Sequence, residues 1–226
     1  MSITILDCAE AASAVYKNLD FENWVLVRGI YDPKNTAVRQ EGYSIGFYSR
    51  LGIPNLYIIS ARGSAKGLTT KDWMDDDLSI GVGRTPDRYA AALAFTQATM
   101  QRHPGTYMVV GHSLGGHIAQ MVGVMCNLHF VTFNAPPAIG TWSGTLPNGV
   151  NPAQFKKGLN YRVNYDPVSL TSGTHVGPLV TLRLYGKSIP SAHTKKTYIN
   201  SVKMEGIGGL DAFAAIAGRN GQAFRL

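Results

Sequence analysis

The stretch Met108-Val109-Val110-Gly111-His112-Ser113-Leu114-Gly115-Gly116-His117 constrains the fold of this chain more than any other. An apolar, β-branched run enters Gly-x-Ser-x-Gly at Gly111 to Gly115, and the helix-compatible Ile118-Ala119-Gln120-Met121-Val122 follows without a break. A chain that turns from strand to helix within one residue brings the two backbones close together, so the positions flanking the turn must be small. The serine between them sits on a sharp bend with its hydroxyl clear of the backbone, the arrangement of a nucleophile elbow. In a chain with 25 Gly the pentapeptide alone says little. The strand before it and the helix after it carry the weight.

On either side the pattern continues as alternating strands and helices. Residues 56–60 (Leu-Tyr-Ile-Ile-Ser) form a continuous apolar run suited to a strand buried on both faces. Residues 87–102, opened by Pro86 and rich in alanine, read as a helix against a sheet. Residues 107–110, 114–126 and 129–133 then give strand, helix and strand, the unit of a parallel sheet. Further strands are expected at 161–165 and 179–185, and helices at 194–202 and 210–217. Near the start, Asp7-Cys8-Ala9-Glu10 has the form of a capping box, with a helix expected over 11–19 and half-buried strands at 24–30 and 43–51. The expected fold is α/β: a mostly parallel central sheet flanked by helices, with antiparallel N-terminal strands. No linker interrupts it, so residues 1–226 are read as one domain.

With 45% hydrophobic and 15% charged residues, and no run near the roughly 18 apolar residues of a membrane span, the chain reads as soluble. Neither a secretory signal nor a transmembrane segment is recognised, which leaves cytoplasmic residence and export by a non-classical route both open. Cys8 and Cys126 stand alone, without the spacing of a disulfide framework or a zinc site. The net charge of +7 lies in the second half: residues 1–103 carry 11 Lys+Arg against 11 Asp+Glu, residues 104–226 carry 10 against 3. Attraction to an anionic membrane surface and plain solubility both account for it. Nucleic acid is not expected, because the lysines come in pairs with no interleaved aromatics. The acids at Asp72, Asp75, Asp76 and Asp77 lack calcium-loop spacing and read as a solvated helix start, so no metal is expected.

Serine is a poor nucleophile near neutral pH unless a base takes its proton and a third group fixes that base. Downstream of Ser113 the acids are Asp166, Glu205 and Asp211, and only Asp166 directly follows a strand. Beyond it stand His175 and His193. His193 comes after one further strand, as the order serine, acid, histidine requires, whereas His175 follows Asp166 by only nine positions. His112, His117 and His129 read as structural. An oxyanion needs two backbone N–H donors. Leu114, next after the nucleophile, offers one, and the strand end at Gly63-Ser64 offers another.

Five motifs in sequence, Ala-Arg-Gly-Ser (61–64), Asp-Trp-x-x-Asp (72–76), Gly-His-Ser-Leu-Gly-Gly (111–116), Asn-Tyr-Asp-Pro-Val (164–168) and Ala-His-x-x-x-x-Tyr (192–198), resemble the class 3 lipases of the α/β-hydrolases. The resemblance implies an α/β-hydrolase fold, Ser113, Asp166 and His193 as a triad, and an oxyanion hole from Ser64 and Leu114. It also implies a lid-like segment after Ser64, which competes with the Gly-, Pro- and Asn-rich residues 140–158 as a cover. The expected activity is carboxylic-ester hydrolysis of lipid, as lipase or phospholipase A, through an acyl-enzyme and without cofactor. The expected partner is the lipid substrate, with an anionic membrane surface as a second; an export machinery or inhibitor protein is left open. A small-ester or thioester hydrolase, an inactive lipid-binding homologue and a secreted antibacterial lipase are the alternatives.

Overall fold

Alternation of apolar side chains across successive strands gives this chain two hydrophobic faces, and both are covered by helices. The computed structural model describes residues 2–27, 45–63, 85–138, 151, 154–171, 173–185 and 191–219. Its strands are β1 (Trp24–Leu26), β2 (Ile45–Arg50), β3 (Leu56–Ala61), β4 (Thr106–His112), β5 (His129–Phe133), β6 (Gly158–Val163) and β7 (Leu179–Leu182). The helices are α1 (Ile5–Ala14), α2 (Thr85–Arg102), α3 (Leu114–Met125), α4 (Lys195–Met204) and α5 (Ala212–Arg219). All the strands join one sheet whose spatial order follows the chain from β1 to β7. β1, β2 and β3 pair antiparallel, and β3 through β7 pair parallel. This is the expected architecture, an α/β-hydrolase fold.

On β4, Met108 and Val110 point to one face, where they meet Ile5, Cys8 and Ala12 of α1, Tyr198 and Val202 of α4, and Ile216 of α5. Tyr107 and Val109 point to the other, into the layer of Ala92 of α2 and Ile118, Met121 and Val122 of α3. The connections β3–α2–β4 and β4–α3–β5 advance the same way along the sheet, so one handedness of crossover places both helices on one face. The opposite face is closed by α1 from before the sheet and by α4 and α5 from after it.

The bounds of α1 and β6 depart from expectation, and β7 stops at Leu182 instead of 185. Helix α1 starts at Ile5, not after a box at Asp7 and Glu10. Thr4 is the cap: its hydroxyl accepts the Asp7 N–H at 3.0 Å, and the Asp7 carboxylate accepts the Thr4 N–H at 2.8 Å. The box is therefore shifted three residues towards the N-terminus, and the helix ends at Ala14 instead of Leu19. Strand β6 runs from Gly158 to Val163, ahead of the expected 161–165. Its end is set by Asn134, whose side-chain oxygen takes the Val163 N–H at 2.8 Å, and by Tyr165, which turns the chain with φ 65°. Among the described residues no helix is long and apolar enough to cross a membrane. The acidic residues 72–77, the greater part of 140–158, and Ser64 lie outside the described residues.

Candidate active site

Ser113 joins β4 to α3 with φ 58° and ψ −134°. Such a conformation is uncommon for a residue with a Cβ and costs on the order of 1–3 kcal/mol, so the surroundings must hold it. They do so by close packing. A Cβ on Gly111 would run into the Gly115 carbonyl, and one on Gly115 into the carbonyl of Ala61 at the end of β3. A Cβ on Gly116 would stand 2.6 Å from that of Ala135. Each small residue of Gly-His-Ser-Leu-Gly-Gly thus answers to a particular neighbour.

The structure brings Ser113, His193 and Asp166 together. Ser113 Oγ lies 2.8 Å from His193 Nε2, and His193 Nδ1 lies 2.7 Å from Asp166 Oδ1. A carboxylate only accepts, so Nδ1 carries the proton towards Asp166, and Nε2 is left with its lone pair towards the serine hydroxyl. Asp166 is fully buried; its other oxygen accepts the Ser169 N–H at 3.0 Å. The carboxylate is thereby oriented on both sides. Leu114, next to Ser113, is the first residue of α3, where N–H groups have no acceptor within the helix and the helix dipole favours negative charge. Gly63 stands beside Ser113, since a Cβ added to it would come within 3.3 Å of Ser113 Cβ. His175 is not in this chain of hydrogen bonds. Burial, followed by the charge of Arg162, lowers its pKa to about 4.

The sequence reading missed a second ring of residues that fixes the histidine. His112 faces the α1 side of the sheet, and its Nε2 donates to the His193 carbonyl at 2.8 Å. Its Nδ1 then accepts the Tyr16 hydroxyl proton at 3.1 Å. Burial, followed by the nearby His193, pushes the His112 pKa well below its usual value, which keeps that tautomer neutral. Asn134, at φ 49° just after β5, donates to the Ala192 carbonyl at 2.8 Å while accepting from Val163. One amide thus ties the segment carrying the histidine to the strand carrying the acid. Asn134-Ala135-Pro136-Pro137 is legible in sequence only as a strand end; nothing in it announces partners so far along the chain.

A mostly parallel sheet with a serine on a strained strand-to-helix turn, hydrogen-bonded to a histidine beyond later strands, is the architecture of an α/β-hydrolase. The family profile described as phospholipase-like, the Tle-like phospholipase domain, matches residues 17–178, and the chain belongs to that family. Comparison with curated proteins gives no match. Among solved structures the chain is similar to the mono- and diacylglycerol lipase of Aspergillus oryzae, at 16% identity and TM-score 0.44, over 96% of each chain. It is likewise similar to lipase II of Rhizopus niveus (14% identity, TM-score 0.44, 89% of this chain and 91% of that one). The lipase of Rhizopus microsporus var. chinensis gives 14% identity and TM-score 0.44, over 83% of this chain and 78% of that one.

Proposed function

We propose that this protein is a phospholipase A, cleaving the carboxylic ester of a phospholipid through an acyl-enzyme on Ser113. The continuous run of hydrogen bonds from Ser113 through His193 to Asp166 supports the acyl transfer, and the match to the phospholipase family supports the phospholipid as its substrate. The family match includes Ser113 and Asp166 but stops before His193, so the role of His193 rests on those contacts.

In this reading His193 Nε2 takes the Ser113 proton as Oγ adds to the ester carbonyl carbon. The carbonyl oxygen becomes an oxyanion, held by the Leu114 N–H and by Ser64 as the second donor; removing one such donor typically costs about 3 kcal/mol of transition-state stabilisation. The imidazolium, stabilised by Asp166, returns its proton to the departing alkoxide as the C–O bond breaks, releasing a lysophospholipid. Water then adds to the acyl carbon, giving its proton to His193, and Ser113 leaves with that proton while the fatty acid departs. No cofactor enters the balance.

A fluorophosphonate probe tests the nucleophile, and mass spectrometry of products from phospholipid, triacylglycerol and short esters tests the substrate. Wild type is expected to be labelled and to yield fatty acid plus lysophospholipid. Ser113→Ala should escape labelling and lose about 10⁴- to 10⁶-fold in kcat. An unlabelled but folded wild type would refute the covalent mechanism, and turnover of short esters alone would refute the lipid substrate.

A further inference from the structure

Beside the nucleophile lies a group of cations that neither the fold nor the proposed acyl transfer requires. Arg62 leaves β3 immediately before Gly63, and Lys195 opens α4 two residues after His193. Both meet on Tyr16: the Lys195 ammonium lies 3.8 Å and the Arg62 guanidinium 5.4 Å from its ring centre. Lys17 adds a third charge close enough, with Arg62, to lower the Lys195 pKa further after burial has done so.

Three features among the described residues mark this group as lacking an anion. Arg62 Nε is buried without a hydrogen-bond partner among the described residues. The ion pairs among those residues are Arg50–Asp7, His193–Asp166 and Lys203–Glu10, so no described carboxylate neutralises Arg62 or Lys195. Finally, Lys195 and Lys196 occupy the first turn of α4, where no acid is present and the helix dipole disfavours positive charge. Cations crowded on one another, desolvated and placed against a dipole are costly unless an anion joins them. An anion there would gain two charge-assisted contacts and the N-terminal field of α4 at once.

Resting on the phospholipase reading above, we infer that Arg62 and Lys195, with Lys17 at the rim, bind the phosphate of the substrate phospholipid while its acyl ester lies at Ser113. The position suits that role, because Arg62 is one residue from Gly63, where an added Cβ would come within 3.3 Å of Ser113 Cβ, and Lys195 is two from His193. Tyr16, stacked against both cations and bonded to His112, forms the wall between the two subsites.

The test uses substrates below their aggregation limit, so that attraction to a membrane surface plays no part: monomeric dihexanoylphosphatidylcholine and dihexanoylglycerol. In R62Q/K195Q the kcat/KM ratio of phospholipid to diacylglycerol is expected to fall about ten- to hundred-fold, mainly through KM. Inorganic phosphate should inhibit wild-type hydrolysis of dihexanoylglycerol competitively, a measurement that needs no variant and holds if the variant fails to fold. An unchanged ratio, or phosphate that does not compete, overturns the phosphate site while leaving the phospholipase reading intact. A wild type that cleaves the diacylglycerol but not the phospholipid overturns that reading instead, and the phosphate site with it.

Discussion

At Asn134 one side chain reaches both halves of the proposed catalytic apparatus, accepting from Val163 and donating to the Ala192 carbonyl. Removing the amide leaves a buried N–H and a buried carbonyl unpaired and frees the His193 segment to shift; a displacement near 1 Å at a reacting group costs on the order of 100-fold in rate. Asn134→Ala is therefore expected to lower kcat by about ten- to hundred-fold while KM moves less than about two-fold, read from steady-state kinetics on a soluble ester. A KM effect as large as the kcat effect would contradict this positioning role. Strand ends and chain order single out Ser113, Asp166 and His193 in the sequence, and the structure brings these three into hydrogen-bond contact. Asn134, His112 and Tyr16 were not legible there. Their partners lie 58, 81 and 96 positions away in the chain, and a polar residue at a strand or helix end carries no local sign of such a contact.

Among the elements, helices and strands with strong periodicity were readable and their ends less so. Helix α1 illustrates why: Thr4 and Asp7 form its capping box, yet Asp7 and Glu10 display a similar spacing in the sequence. What decides is tertiary. Asp7 Oδ1 also accepts the Trp24 indole N–H at 2.9 Å and pairs with Arg50 at 3.0 Å, fastening α1 to β1 and β2. A carboxylate that serves as cap, indole acceptor and ion-pair partner concentrates three interactions in one group. Asp7→Ala leaves the indole and guanidinium donors without it, and a loss of about 2–4 kcal/mol is expected. In a chain of this length that corresponds to a Tm lower by roughly 5–15 °C, measurable by circular dichroism. A change below about 2 °C would show that α1 is held by apolar packing alone.

For the molecule as a whole, burial of histidine makes stability fall towards acid pH. His117 and His175 are each lowered from 6.5 to about 4, and His112 is lowered well below its usual value, in every case chiefly by burial. Above pH 6.5 these rings are neutral whether the chain is folded or unfolded. As pH falls below 6.5 the unfolded chain takes up protons that the folded one refuses, so stability declines through the interval from about 6.5 to about 4. Urea midpoints measured across that interval should fall steadily, and His117→Gln should flatten part of the slope; a midpoint constant down to pH 4 would contradict the assignment. The order of the strands also bears on synthesis. From β3 to β7 each strand pairs with the one made just before it, so the sheet can extend as the chain emerges, but the face under α1 is sealed only when α4 and α5 arrive. His193 belongs to that late segment. Under the proposed mechanism Ser113 and Asp166 therefore lack His193 until the second face closes, and a partly synthesised chain is expected to be inactive.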